Sequence, residues 1–410
     1  MNVSKRLRIA VAVNFLPTPE HPHRGRANYQ RVKALARLAD VRAFCVEPWY
    51  MPMGLLWPRK APSAGPVLVH QGEGAIAAAG GAIVESLRYR ALPFLSRTVN
   101  GRAAAKVLTP RIRDFGPDVV IGYFVYPIGF GALQAGRRLG VPTIIGAVGS
   151  DLRQTGRWTR QLAAQALQNA EFVVAVSEEL RQRAIAMGAP PERCRTVHNA
   201  CDAGIFHRGN RAAARAQLQV EERAELMLFV GSLKALKGVR ELLEATALVA
   251  ARRPNLQIVC IGEGPLEGKL RQRASNADLA EHVRFIGGAL PDEVAHWLTA
   301  ANVFCLPSHS EGCSNVVIEA LSCGRPVVAT DVGGTPELVN SKSAILVPSG
   351  NVGRLATGLV EALDRVWNEE DIVACSSRSW EDWAKEMYEV CEQAVRHSGT
   401  ADRSAPFAKK

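Results

Sequence analysis

The stretch Pro307–Val339, PSHSEGCSNVVIEALSCGRPVVATDVGGTPELV, decides the fold. The apolar run Val303–Leu306 before it reads as a buried strand, the polar loop ends near Ser314, and a helix follows. A loop at the carboxyl end of a parallel strand is where open α/β sheets bind ligands. Gly312 allows close backbone approach, and Ser314 is a candidate helix cap. The N–H groups of Asn315 and Val316 then precede the first helical hydrogen bond and form an anion site suited to a diphosphate. Glu311 and Glu319 stand eight positions apart, one in the loop and one on the helix, so both can face one crevice. A carboxylate accepts both hydroxyls of a vicinal diol, so one glutamate can hold a ribose and the other a hexose.

Outward from this stretch the same alternation recurs in two series. Strands are expected at Ile9–Val13, Val41–Val46, Val119–Ile121, Thr143–Ala147, Phe172–Val176 and Thr196–Val197, with helices at Tyr29–Leu38, Gly131–Leu139 and Arg160–Asn169. A second series runs through Leu226–Val230, Gln257–Ile261, Val283–Ile286, Val303–Leu306, Pro326–Ala329 and Ala344–Val347. Its helices are Val239–Ala251, Pro265–Ala274, Pro291–Ala300 and Asn315–Leu321. Short apolar strands alternating with helices mark doubly wound α/β sheets, and two series mean two Rossmann-like domains. The expected boundaries are 1–204, 205–375, a terminal helix at 376–397 packing back on the first domain, and a disordered tail at 398–410.

Composition narrows the function classes. Of 410 residues 47% are hydrophobic and 22% charged, which excludes a disordered chain and suits two domains. Fifty Lys and Arg against 39 Asp and Glu give +11, favouring anionic partners without choosing among them. No nucleic-acid module is recognisable, so nucleic acid is not expected. Nine scattered cysteines with no CxxC pair argue against a disulfide framework or a zinc site. No DxD pair is present to hold a metal-bound diphosphate, so no metal is expected. Lys5, Arg6 and Arg8 before Ile9–Val13 imitate a secretory signal, but the run is short and meets Pro17 and Pro19, so it reads as a first buried strand.

Glu311-x7-Glu319, followed by Gly324-x-Pro326-Val327 and Gly333-Gly334-Thr335-Pro336-Glu337, resembles the retaining GT-B glycosyltransferases of family four (glycosyltransferase group 1). Other segments agree in order: Val230-Gly231-Ser232-Leu233 with Lys237-Gly238, Gly262-Glu263-Gly264-Pro265, Phe285-Ile286-Gly287, and in the first half Gly149-Ser150-Asp151 and Asn199–Asp202 with Phe206. The resemblance implies two Rossmann-like domains facing a cleft. It implies that Glu319 binds the nucleotide ribose and Glu311 the donor sugar. Lys237 would neutralise the leaving diphosphate, with Gly231, Ser232, Gly264, Gly312, Ser314, Asn315 and Val316 around the donor. Gly25 would let backbone approach the diphosphate, and Asp151 would line the sugar or acceptor side. Catalytic roles thus fall on Glu311, Lys237 and Asp151. Departures are Ser232 where Arg is common, Val148 and Tyr123 where His is common, and one glycine in His23-Arg24-Gly25-Arg26 where two are common. Arg24 or Arg26 is a candidate replacement for the lost cation.

The expected activity is retaining transfer of a sugar from a UDP- or GDP-linked donor to a polysaccharide or lipid-linked glycan acceptor, in the cytoplasm. A nucleotide-sugar epimerase and a non-catalytic sugar-nucleotide binder are the alternatives. Ser86–Arg113 carries seven basic and no acidic residues among apolar ones. It is a candidate interfacial helix on an anionic membrane at the inner face of the plasma membrane. The plainer reading is a solvated helix with a basic face.

Overall fold

Ile9–Val13 is an unbroken run of small and β-branched residues, and all five are wholly buried. That is the pattern of a central parallel strand covered on both faces. The computed structural model describes residues 6–18, 24–50, 81–91, 97–153, 156–376 and 378–400. Its chain divides into two units, 1–198 with 380–410 and 199–379.

In the first unit β1 (Arg8–Val13), β2 (Asp40–Tyr50), β3 (Ile83–Ala91), β4 (Val119–Tyr123), β5 (Thr143–Ala147), β6 (Phe172–Ala175) and β7 (Cys194–Thr196) form one sheet. Its order is β3-β2-β1-β4-β5-β6-β7, and neighbours pair in parallel. In the second unit β8 (Glu225–Val230), β9 (Leu256–Ile261), β10 (Val283–Gly287), β11 (Val303–Leu306), β12 (Val327–Thr330) and β13 (Ala344–Val347) follow the order β10-β9-β8-β11-β12-β13, again parallel. Each sheet therefore reverses its direction of winding once, between β1 and β4 and between β8 and β11. At such a switch point the two following loops diverge and leave a crevice beyond the strand ends.

The division falls at 198/199 rather than 204/205. Cys201 accounts for the difference: its N–H donates to the Arg378 carbonyl at 3.3 Å and it bridges Ser379 in parallel, which ties Asn199–Asp202 to the second unit. The last helix, Trp380–Thr400, belongs to the first unit and packs on helix Arg26–Ala36. It buries Trp383, Met387, Cys391 and Ala394, with Trp380 edge-on to Trp383 at 5.7 Å. The helix starts later than 376 and runs past 398, the expected start of the tail; 401–410 lie outside the described residues.

The Ser86–Arg113 expectation is corrected. Ser86–Ala91 belong to β3, where Leu87, Tyr89 and Ala91 are buried in alternation with Arg88 and Arg90. Helix Asn100–Phe115 buries Ala104, Ala105, Leu108 and Ile112 in the core of its unit and exposes Arg102, Lys106, Arg111 and Arg113. Of the described apolar residues, Leu87, Tyr89 and Leu108 are buried in the protein and Val107 packs partly against its core, while Val99 is exposed; Leu92, Phe94 and Leu95 lie outside the described residues. No helix among the described residues is long and apolar enough to cross a membrane.

Candidate functional site

Lys237 follows β8 in a tight turn, and Glu311 follows β11 in the quoted loop. The switch point brings them together. Lys237 Nζ donates to Glu311 Oε1 at 2.6 Å, and Ser308 Oγ donates to the same oxygen at 2.6 Å. The glutamate is 9% exposed and the lysine side chain 24%, so both can be reached by a ligand at the loop surface. The two residues expected to act on sugar and diphosphate separately hold one another here.

Backbone contacts fix this pair. Gly238 has φ +65°, and a side chain there would meet the Pro307 carbonyl oxygen at 1.9 Å. Gly333 has φ +58°, and a side chain there would meet the Glu311 carbonyl oxygen at 2.0 Å, so the Gly-Gly-Thr-Pro-Glu segment can lie directly on the glutamate's backbone. Gly334 N–H completes the contact to the Gly312 carbonyl at 3.0 Å. His309 is held between Ser349 Oγ (2.9 Å) and Glu241 Oε1 (3.1 Å), and the Thr330 hydroxyl donates to the Ser308 carbonyl.

Helix Asn315–Ser322 begins beside this cluster in sequence. Its hydrogen bonding starts with Ile318 N–H to Ser314 carbonyl at 3.3 Å, so the N–H groups of Asn315 and Val316 precede it. Ser314 occupies the cap position but makes no side-chain cap bond, a correction to the expected role. Asn315 Oδ1 accepts from Asn199 Nδ2 at 2.8 Å. Glu319 is half-buried in the second turn and acts on two thiols. Burial, with this carboxylate adding, pushes Cys201 and Cys323 up to about 12. Gly231, Ser232 and Gly264 lie in the adjoining β8 and β9 loops, which are stitched by Leu233 N–H to Glu263 carbonyl and Leu266 N–H to Leu233 carbonyl, at 2.9 and 3.1 Å.

The first-unit residues behave differently. Gly25 starts helix Arg26–Ala36 and accepts from Tyr29 N–H at 3.0 Å. The Arg24 guanidinium lies over the Phe15 ring at 3.7 Å. Asp151 is a correction. It is wholly buried, and its carboxylate accepts from Gly149 N–H (2.7 Å), Val125 N–H (3.0 Å) and Val148 N–H (3.3 Å). Burial raises its pKa while these N–H groups pull the other way. It anchors the turns after β4 and β5 and offers no surface to a sugar. Tyr123 is buried with its ring under the Arg31 guanidinium at 4.8 Å, and burial raises its pKa. Ser308 and His309 were missed by sequence reasoning, although both sit inside the quoted stretch; nothing but the fold reveals their partners.

Two family models match, the Glycosyl transferase 4-like domain over 25–200 and Glycosyl transferases group 1 over 224–365. The chain belongs to the group 1 glycosyltransferases. This group 1 member is 36% identical over 187 residues to the D-inositol 3-phosphate glycosyltransferase of Thermobispora bispora, covering 43% of this chain and 44% of that one. It is 28% identical to the putative teichuronic acid biosynthesis glycosyltransferase TuaC of Bacillus subtilis, covering 69% and 70%. The chain spans about half the length of the inositol-phosphate relatives it matches. Among solved structures, HepE of Anabaena in complex with UDP-glucose superposes with TM-score 0.68 at 16% identity over 96% of this chain and 100% of that one. That likeness places the group 1 member in the GT-B fold.

Proposed function

We propose that the chain transfers a sugar from a nucleotide-sugar donor to a glycan acceptor, with retention at the anomeric carbon. The observation that carries this reading is the contact of Lys237 with Glu311 at the second unit's switch point. A nucleoside diphosphate sugar fits such a place: its diphosphate meets Lys237 and the Asn315 and Val316 N–H groups, and its hexose hydroxyls compete for Glu311. Glu319 is assigned to the ribose. In the transfer the bond from C1 to the diphosphate oxygen breaks, the leaving phosphate takes the electron pair, and Lys237 stabilises the charge. The acceptor hydroxyl forms the new bond to C1, and its proton passes to the departing phosphate.

The named relatives are transferases, which disfavours the epimerase and binder alternatives. HepE's UDP-glucose supports a UDP-linked donor, and the relatives' names support a polyol or surface-polysaccharide acceptor, lipid-linked or free. All nine cysteines are free thiols, which suits a reducing cytoplasm. A thermal-shift panel of UDP-, GDP- and ADP-sugars tests the reading. A bound donor at a hundred times its Kd stabilises by about 2.7 kcal/mol. One of the panel should raise Tm, and Glu319→Ala should abolish that rise. A panel without any shift would overturn the assignment.

A further inference from the structure

Three side chains of the second unit form an arrangement that none of the donor assignments uses. His309 stands between Glu241, whose Oε1 is 3.1 Å from Nε2, and Ser349, whose Oγ is 2.9 Å from Nδ1. Carboxylate, imidazole and hydroxyl thus follow one another at hydrogen-bond distance. Such a chain activates a serine when the imidazole nitrogen that faces it is unprotonated.

The partners of the ring decide that point. A carboxylate only accepts, so a neutral imidazole carries its hydrogen on Nε2 and keeps a lone pair on Nδ1. The Ser349 hydroxyl then donates to Nδ1. Its other acceptor, the Ser308 carbonyl, is farther away at 3.5 Å and already receives the Thr330 hydroxyl. Glu241 lies in the first turn of helix Val239–Ala250, where the positive helix end favours its ionised form.

Each member sits on a different element. His309 N–H donates to the Leu236 carbonyl at 2.8 Å, which fixes its backbone against the turn after β8, and Ser349 follows β13. The His309 and Glu241 side chains are 34% and 27% exposed and Ser349 is exposed, so a small molecule reaches the hydroxyl over a half-sheltered imidazole. Chain neighbours apart, a side chain at Gly350 would meet nothing nearer than His309 Cε1 at 3.8 Å, which leaves room for a short acyl group. Helix Val352–Asp364 begins just after. Its cap Asn351 takes the Arg354 N–H on its side chain and the Leu355 N–H on its carbonyl, both at 2.9 Å. The N–H groups of Val352 and Gly353 precede these bonds and are donors for an oxyanion.

We propose that Ser349, His309 and Glu241 form a second centre that hydrolyses small carboxylic esters. Ser349 Oγ attacks the ester carbonyl carbon while its proton passes to His309 Nδ1. The bond to the alcohol oxygen then breaks, the alcohol leaves with that proton, and Ser349 stays acylated. Water gives a proton to the same nitrogen and attacks the acyl carbon; the acid departs and Ser349 Oγ recovers the proton. Glu241 is a positioning residue, which holds Nε2–H and stabilises the imidazolium. None of this rests on the sugar-transfer reading.

Two probes test it on the full chain: a fluorophosphonate, which phosphonylates activated serines, and p-nitrophenyl acetate. Peptide mass spectrometry should find the phosphonyl group on Ser349 in the folded chain and not in the chain unfolded in urea. Ser349→Ala should lose the adduct and most of the acetate hydrolysis above background. His309→Gln should slow phosphonylation about a hundredfold, in line with roughly 10²–10⁴ for a positioned base. Glu241→Gln keeps the shape and removes only the charge, and should slow it about tenfold at an unchanged melting temperature. A folded wild type whose Ser349 stays unmodified under excess probe would overturn the proposal without recourse to any variant. Equal phosphonylation of wild type and both relay variants would overturn it as well, as would acetate hydrolysis unchanged in Ser349→Ala.

Discussion

Replacing Glu311 by Gln keeps the side-chain shape and the acceptor for Ser308 but removes the charge opposite Lys237. The carboxylate is 9% exposed, and a hydrogen bond to a charged group in such a place contributes about 1.5–3 kcal/mol. Lys237 is 24% exposed, so water screens part of the attraction and the lower end applies, about 1.5 kcal/mol. Unit two has about 180 residues, for which 1 kcal/mol moves Tm by about 2–4 °C. The variant should melt about 3–6 °C lower. Lys237→Met keeps the Ser308 hydroxyl on the carboxylate but removes its lysine, and should cost about the same. The double variant removes both charges and should cost less than the sum, by about 1 kcal/mol or more, since contacting residues couple by about 0.5–3 kcal/mol. Calorimetry on the four proteins measures this, and UDP titration of each shows whether the pair also holds the donor. Additivity within about 0.5 kcal/mol would refute the claim that the two loops are held together by this contact.

Gly333→Ala should displace the Glu311 backbone, because its methyl would stand 2.0 Å from that carbonyl oxygen at a φ of +58°; a stability loss above about 1 kcal/mol and weaker UDP binding are expected by melting and titration. Asp151→Asn should destabilise the first unit by about 1–3 kcal/mol, since its amide must face a backbone N–H that the carboxylate now satisfies. The raised Asp151 pKa means the folded chain binds its proton more tightly than the unfolded one. Wild type should therefore gain on the variant as pH falls from 7 towards 4, measurable as the pH slope of denaturant unfolding. Transfer should continue in EDTA, with Lys237 and helix N–H groups meeting the diphosphate; loss restored by Mn²⁺ would show that they do not suffice.

The strands of both sheets were largely legible, because a parallel strand covered on both faces must be a continuous apolar run, as in Ile9–Val13 and Leu226–Val230. β3 was hidden for the opposite reason. Its outer residues are Arg88 and Arg90, and alternation of arginine with Leu87, Tyr89 and Ala91 has period two, the mark of a strand, although the surrounding positive charge suggested a membrane helix. Glu311, Glu319 and Lys237 could be picked out by order and spacing. The Lys237–Glu311 contact could not, since it joins loops 74 residues apart through the placement of β8 beside β11. Asp151 shows the reverse failure: a polar residue in a Gly-Ser-Asp turn looks solvent-facing in sequence, yet three backbone N–H groups draw it inside.

The return of helix Trp380–Thr400 to the first unit sets an order on synthesis. The strands of that unit have all been made once Thr196 emerges, but the surface awaiting Trp383, Met387 and Cys391 stays bare until the intervening 199–379 have been translated. At about 5–20 residues per second that interval is about 10–35 s. Throughout it the nascent unit presents its helix Arg26–Ala36 to solvent without its covering partner. The ribosome thus finishes and releases the inserted unit before the one that encloses it in sequence can close.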